Sequence, residues 1–298
     1  MERVISIPTL APRAAESHKG DYGRILLVAG GPGMAGAAIL AARAALRAGA
    51  GLVTALIPRS LQTALATACP EATLIPLRRL PNSAEELAEL AAEFDRFDAI
   101  GVGPGLGAGP WGATLLRGVL ETFQGPHLLD ADALNILAAN PDLAATLNPQ
   151  RVFTPHPGEF RRLTQELPCG DEARRVAAER FVDSHGGVLV LKGHRTLVTD
   201  GTRYYLNRTG NPGMATGGSG DVLTGIITSF LGQGVPPFEA ACLGVQVHGR
   251  AGDLAAADLG ETSLIASDLV ANLPQALRER TRTKELPGTD PAAEESPS

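Results

Sequence analysis

The run Gly210 to Gly225, GNPGMATGGSGDVLTG, sets five glycines and a proline ahead of an apolar helical pattern, with Asp221 at the junction. Such a loop delivers unpaired backbone N–H groups to a helix N-terminus, where free donors and the positive end of the helix dipole converge on an anion. A carboxylate beside bound phosphate is unfavourable unless it moves a proton or a metal offsets it, so Asp221 is a candidate general base. The plainer reading makes Ser219 or Asp221 a helix cap and the glycines turns.

Other candidates stand where apolar runs end. Lys192-Gly193-His194-Arg195-Thr196 follows VLVL, so the lysine emerges at a strand end, where open α/β sheets place ligands; the alternative is a surface lysine in a turn. Gly103-Pro104-Gly105-Leu106-Gly107 follows another such run and allows close backbone approach to a bulky ligand, or simply turns the chain. His156 sits between two prolines that stiffen its loop, as a ligand-binding or a structural histidine. Glu159 either serves the same pocket or stabilises the first turn of the next helix. Asp130 and Asp132 form a carboxylate pair that suits Mg²⁺ through waters, with Asp132 equally suited to a helix N-cap. Gly31, Gly33 and Gly36 match a dinucleotide fingerprint, but no acid closes the next apolar run, 52–57. A redox nicotinamide site is rejected there, and the loop reads as a substrate wall with Ala37 small enough for close approach.

These positions need a scaffold of alternating elements. Strands are expected at 24–30, 52–57, 72–76, 98–102, 127–129, 151–154 and 187–191, with helices at 35–48, 84–93, 110–123 and 171–184. That alternation predicts a mostly parallel sheet covered on both faces. Residues 196–199 and 203–207 flank Asp200-Gly201, a dipeptide suited to a tight antiparallel hairpin, and two or three helices follow from 221 to 280. No linker divides the chain, so 18–282 is expected to be one domain after a lead of 1–17, with a disordered tail at 283–298.

Composition narrows the classes. The formal net charge of -6 argues against a general nucleic-acid binder, and the doublets Arg161-Arg162 and Arg174-Arg175 are flanked by acids, as on solvated helix faces. No apolar run approaches the ~20 residues of a membrane span, and the N-terminus does not read as a secretory signal, so a cytoplasmic protein without membrane partners is expected. Cys69, Cys169 and Cys242 share no metal-site or disulfide spacing and are expected as buried thiols. The chain holds three lysines (Lys19, Lys192 and Lys284) against 23 arginines, which suggests two sites, at Lys19 and Lys192, where a compact ammonium matters.

The 211–225 run resembles the C-terminal motif of the ADP- or ATP-dependent NAD(P)H-hydrate dehydratases of the ribokinase-like superfamily. Agreeing segments include HKGDYG at 18–23, AGG at 29–31, VGPGLG at 102–107, LDADALN at 129–135, TPHPGEF at 154–160 and LKGHRT at 191–196, so the resemblance covers about 18–280. It implies an α/β fold of three αβα layers, ribokinase-like, with the short antiparallel hairpin. It also implies dehydration of (S)-NADHX or (S)-NADPHX with ADP, or ATP, as phosphoryl donor together with Mg²⁺. By resemblance Lys192, Gly193, His194, Arg195, Thr196, Thr216, Gly217, Gly218, Ser219 and Gly220 hold the nucleotide. Ala37, Gly105, Gly107, His156 and Asp221 meet the hydrate, and Asp221 is the base. The metal ligands stay unassigned. The resemblance further implies a homo-oligomer, with a tetramer among the options, and an upstream epimerase on another polypeptide. The rival readings are a kinase for a vitamin-precursor alcohol and a non-catalytic nucleotide-binding regulator.

Overall fold

The computed structural model describes residues 1–81, 84–144 and 148–281. Its centre is a ten-stranded sheet made of β1 (Glu2–Val4), β2 (Arg24–Val28), β3 (Leu52–Pro58), β4 (Thr73–Leu77), β5 (Ala99–Val102), β6 (His127–Leu129), β7 (Arg151–Phe153), β8 (Val188–Leu191), β9 (Leu197–Thr199) and β10 (Arg203–Leu206). The spatial order is β1-β10-β9-β8-β7-β6-β5-β2-β3-β4. Only β9 runs against its neighbours, pairing Leu189 with Thr199 on one side and Tyr204 with Thr199 on the other, so the hairpin expected around Asp200-Gly201 is present. The lead contributes β1, which adds to the sheet edge parallel to β10. The expected tail lies outside the described residues.

Eleven helices are described: α1 (Ala35–Arg47), α2 (Gln62–Ala68), α3 (Ala84–Ala92), α4 (Pro110–Thr122), α5 (Asp132–Ala139), α6 (Pro141–Ala144), α7 (Pro157–Thr164), α8 (Asp171–His185), α9 (Ser219–Gly232), α10 (Pro237–Leu259) and α11 (Ala266–Arg278). The side chains of β2 show how they cover the sheet. Ile25 and Leu27 face a core with Ala41 of α1, Phe230 of α9, Val247 of α10 and Leu273 of α11. Leu26 and Val28 face a second core with Leu116 of α4, Leu134 of α5, Phe160 of α7 and Phe181 of α8. A strand buried on both faces needs apolar residues at every position, which is why RILLV shows no alternation. Each such side chain contributes roughly 1.5–3 kcal/mol through burial.

The most deeply packed helix is α9. Gly225 is its point of closest approach to α1: a Cβ there would fall 2.1 Å from the Ala41 carbonyl oxygen. Small residues at this crossing let α9 sink until 12 of its 14 residues are buried, with its N-terminus at the carboxyl edge of the sheet.

Candidate active site

The sheet changes winding direction between β2 and β5, because β2 pairs with β3 on one side and with β5 on the other. A crevice opens at such a switch point, outside the carboxyl ends of the strands. Two glycine turns line it. The Gly30 N–H donates to the Pro104 carbonyl over 2.8 Å, and a Cβ on Gly31 would stand 2.8 Å from the Gly105 carbonyl oxygen. Gly103 has φ +129° and leaves room for a Cβ only 1.8 Å from the Asp130 carbonyl oxygen, so no other residue fits that turn.

From this crevice several of the expected residues can be followed in turn. A Cβ on Gly105 would lie 3.0 Å from that of Ala37, in the first turn of α1. One turn further along α1, Leu40 packs against Gly218, whose φ of +91° starts α9. Asp221 lies in the first turn of α9, and the adjacent Gly220 would place a Cβ 3.4 Å from Lys192 Nζ and 3.8 Å from Asp130 Oδ2. The Lys192 ammonium donates to Asp130 Oδ1 over 2.8 Å and lies 3.8 Å from Glu159 Oε2. Glu159 in turn accepts the His156 N–H at 2.8 Å and sits 3.3 Å from His156 Nε2. The His156 ring nitrogen Nδ1 accepts from the Gly158 N–H, so both ring nitrogens are engaged by their own turn and the ring is half exposed.

The open ends are filled by the loops. Gly107 donates its N–H to Asp132 Oδ2 over 2.8 Å. Asp132 is therefore neither free nor the helix cap: Ala131, with φ 47°, occupies the cap position of α5, and the carboxylate holds the glycine turn instead. Thr216 accepts the Ser219 N–H on its carbonyl at 3.4 Å, while the N–H groups of Gly220 and Asp221 meet no protein acceptor among the described residues. Gly217, Gly193 and His194 are exposed, and Arg195 and Thr196 are half-buried beside them.

Electrostatics sets Asp221 apart. Burial, then the nearby Asp130 carboxylate, push its pKa up to about 7, against a smaller downward pull from Lys192. A carboxyl group poised there exchanges a proton near neutrality. Burial alone would draw the Lys192 ammonium down, yet Asp130, Glu159 and Asp221 together outweigh it and hold the lysine above its ordinary value. Burial also raises Glu159, with Lys192 opposing.

Several supporting residues escaped the sequence reading. Thr224 Oγ1 donates to Asp130 Oδ2 at 2.7 Å and fixes the carboxylate that holds the lysine. His248 of α10 donates from Nε2 to the Ser219 carbonyl at 2.9 Å; burial takes its pKa down to about 4, so it is neutral. Asp253, also of α10, accepts from the Gly210 N–H and from Asn211. Thr224 lay inside the glycine motif and could have been singled out there, whereas nothing in the helical pattern of α10 marked His248 or Asp253.

The two lysine positions lie apart, and two other expectations are corrected. At Lys19, Gly51, just before β3, packs on the lysine carbonyl, and the neighbouring Gly23 packs on Gly232 at the far end of α9. With 14 residues α9 is roughly 20 Å long, so the two lysines stand at opposite edges of the sheet. Cys169 is exposed, not buried. Arg174 is no solvated face residue, because its guanidinium is turned into the protein.

A family model described as NAD(P)H-hydrate dehydratase matches residues 25–275. The bifunctional NAD(P)H-hydrate repair enzyme Nnr of Moorella thermoacetica is 45% identical over 275 residues, covering 90% of this chain and 52% of that protein. The chain thus spans about half the length of the first curated relatives it matches. The ADP-dependent (S)-NAD(P)H-hydrate dehydratase of Neisseria meningitidis is 42% identical over 268 residues, covering 87% of this chain and 84% of that one. Among solved structures, the ADP/ATP-dependent NAD(P)H-hydrate dehydratase of Bacillus subtilis co-crystallised with ATP/Mg²⁺ superimposes with a TM-score of 0.75 at 31% identity, covering 93% of this chain and 99% of that one. A ribokinase-like superfamily protein of Enterococcus faecalis gives 0.78 at 30% identity, covering 92% and 93%.

Proposed function

The chain belongs to the NAD(P)H-hydrate dehydratase family, and from that premise we propose that it dehydrates (S)-NADHX and (S)-NADPHX with ADP as phosphoryl donor. The observation that carries this reading is the half-buried Asp221, poised near neutrality beside unpaired N–H groups at the start of α9 and one residue from the glycine that faces Lys192.

Hydroxide is a poor leaving group, so loss of water from the hydrated ring needs its oxygen activated. Asp221 takes the proton of the C6 hydroxyl as that oxygen attacks the terminal phosphorus of ADP, and AMP leaves. The ring nitrogen lone pair then expels phosphate from C6, and loss of a C5 proton from the resulting iminium to phosphate or water restores the dihydronicotinamide, so the elements of water end in phosphate. Such transfer requires positioning and charge neutralisation more than covalent help. The N–H groups of Gly218 and Gly220, with Lys192, receive the transferred phosphoryl; the Ser219 N–H, expected with them from the sequence, is turned to the Thr216 carbonyl, and that of Asp221 takes its place, while Lys192 to Thr196 with Thr216 to Gly220 hold the nucleotide. Ala37, Gly105, Gly107 and His156 line the side where the hydrate enters.

Mg²⁺ supplies charge neutralisation on the phosphates when bound. Both oxygens of Asp130 are committed to Lys192 and Thr224, and those of Asp132 to Gly107 and Asn135. The residues therefore fit an ion carried on the nucleotide with water-mediated contacts to the protein. The same reading takes 18–282 as one catalytic domain in a cytoplasmic homo-oligomer. Among the described residues no helix is long and apolar enough to cross a membrane.

The test is to incubate NADHX with ADP, Mg²⁺ and the protein and to follow recovery of dihydronicotinamide absorbance. Recovery with stoichiometric AMP is expected. A stable phosphorylated alcohol without recovery would make the protein a small-molecule kinase, and ADP binding without turnover would make it a regulator.

A further inference from the structure

Arg174, on the first turns of α8, spends its guanidinium on backbone alone. Nη1 donates to the carbonyls of His194 at 2.9 Å and Arg195 at 3.3 Å, and Nη2 donates to that of Leu191 at 3.0 Å. No carboxylate forms an ion pair with it among the described residues, although Arg175 next to it pairs with Glu172 in the ordinary surface manner. A half-buried cation that takes carbonyls rather than acids is placed for geometry. The geometry it fixes is unusual. Gly193 has φ +134°, and Arg195 has φ 54°, a left-handed conformation that costs a non-glycine residue roughly 1 kcal/mol or more. The Arg195 side chain is further tied to Asp171 of α8 at 2.6 Å.

Peptide planarity turns these contacts into a prepared surface. In a trans peptide the N–H points opposite to the C=O of the preceding residue. With the carbonyls of His194 and Arg195 drawn toward α8, the N–H groups of Arg195 and Thr196 point to the opposite, open side of the loop. Neither finds a protein acceptor among the described residues. Successive outward N–H groups around a left-handed residue form a concavity suited to an anion.

We propose that Arg174 is the positioning residue of the 192–196 loop: it turns three carbonyls away from the open side and leaves the Arg195 and Thr196 N–H groups facing a nucleotide phosphate. The proposal rests on the nucleotide assignment of that loop but not on the dehydration chemistry. It also explains why one arginine of an otherwise ordinary acidic and basic helix is turned inward.

Calorimetric titration with ADP, together with steady-state kinetics, compares the wild type with Arg174→Met, Arg174→Lys and the control Arg175→Met. Arg174→Met is expected to weaken ADP binding about tenfold or more and to raise KM for ADP, with KM for the hydrate within about twofold and the melting temperature little changed. Arg174→Lys, which keeps a charge but cannot span three carbonyls, should fall between, and Arg175→Met should match the wild type. If Arg174→Met fails to fold, Arg174→Lys alone decides, by weakened or unchanged ADP binding. Unchanged ADP binding, or equal losses for both ligands alongside a lowered melting temperature, overturns the proposal. A wild type that binds no ADP overturns it together with the nucleotide assignment. A wild type that binds ADP without dehydrating NADHX defeats only the functional reading, and weakened binding in Arg174→Met then still supports this one.

Discussion

Lys192 and Asp130, 62 residues apart in the chain, meet across the β6 and β8 strand ends in a 2.8 Å ion pair, with the Asp130 side chain only 2% exposed. In the proposed function an incoming phosphate must therefore share the lysine with a buried carboxylate that has almost no access to water. This arrangement keeps the ammonium charged and directed, at the cost of dependence between the two residues.

That dependence can be measured. Lys192→Met leaves the Asp130 carboxylate buried with only Thr224 as partner and should destabilise the protein by about 3 kcal/mol in urea unfolding. Adding Asp130→Asn should restore most of the loss, because the charge without a counterion is then gone. Additive losses in the double variant would show that the pair is not energetically linked. Both variants should bind ADP more weakly than the wild type.

Asp221→Asn keeps the size and polarity of the side chain and removes its basicity. Turnover should fall by about 10²–10⁴-fold, the usual contribution of a general base, while ADP binding changes little. Wild-type-like turnover would remove Asp221 from the proton-transfer role.

The pH profile follows from the same group. The base must be ionised to accept the hydroxyl proton, so kcat/KM should climb with pH through about 7 and level off above it. The residual activity of Asp221→Asn should lack that acid limb. An acid limb unchanged in the variant would assign it to another group.

Stability should respond with the opposite preference. The Asp221 pKa is raised from 3.8 to about 7 on folding, so the folded state holds this proton more tightly than the unfolded chain. The stability this gives is complete below about pH 4 and is lost as pH rises through 7. Asp221→Asn should therefore melt above the wild type at pH 8, by about 1–2 kcal/mol, and the difference should close toward pH 4. His248, lowered from 6.5 to about 4 by burial, acts the other way in both proteins: its contribution is present above 6.5 and falls with acid. Comparing the two proteins at each pH cancels it.

Two glycines of similar appearance in sequence should behave differently. Gly225→Ala places a methyl 2.1 Å from the Ala41 carbonyl and should cost about 1–3 kcal/mol by forcing α1 and α9 apart. Gly36→Ala, in the first turn of α1 with nothing within 4 Å of the added methyl, should stabilise by about 0.5 kcal/mol. Thermal unfolding of both variants distinguishes the two environments.

The strands, and the glycine turns that end several of them, were legible because each depends on local chemistry. A short β-rich apolar run such as the ILLV of β2, closed by glycines, suits a strand buried on both faces, and clustered glycines mark places where another backbone comes close. The antiparallel β9 was readable from Asp200-Gly201, since that dipeptide favours the turn it makes. Residues that act across the fold left no such trace. Arg174 and Arg175 are adjacent, of one type and flanked by the same acids, yet one holds carbonyls of a loop 17 to 21 positions away while the other pairs with Glu172 on its own helix. Their directions depend on how α8 rotates against β8, which no local pattern encodes. Rarity of a residue type likewise singled out Lys19 and Lys192 without saying that they stand at opposite edges of the sheet.

The tight seating of α9 against α1 has an evolutionary consequence. Asp221, the proposed base, and the N–H groups beside it are mounted on a helix that cannot shift without opening both the Ala41 contact and the core beneath Phe230. Met34, half exposed at the start of α1 beside Gly105, has no such tether. On the proposed function, replacing a rim residue such as this one can therefore alter ligand preference while leaving the seating of α9, and with it the proposed phosphate-binding end, undisturbed.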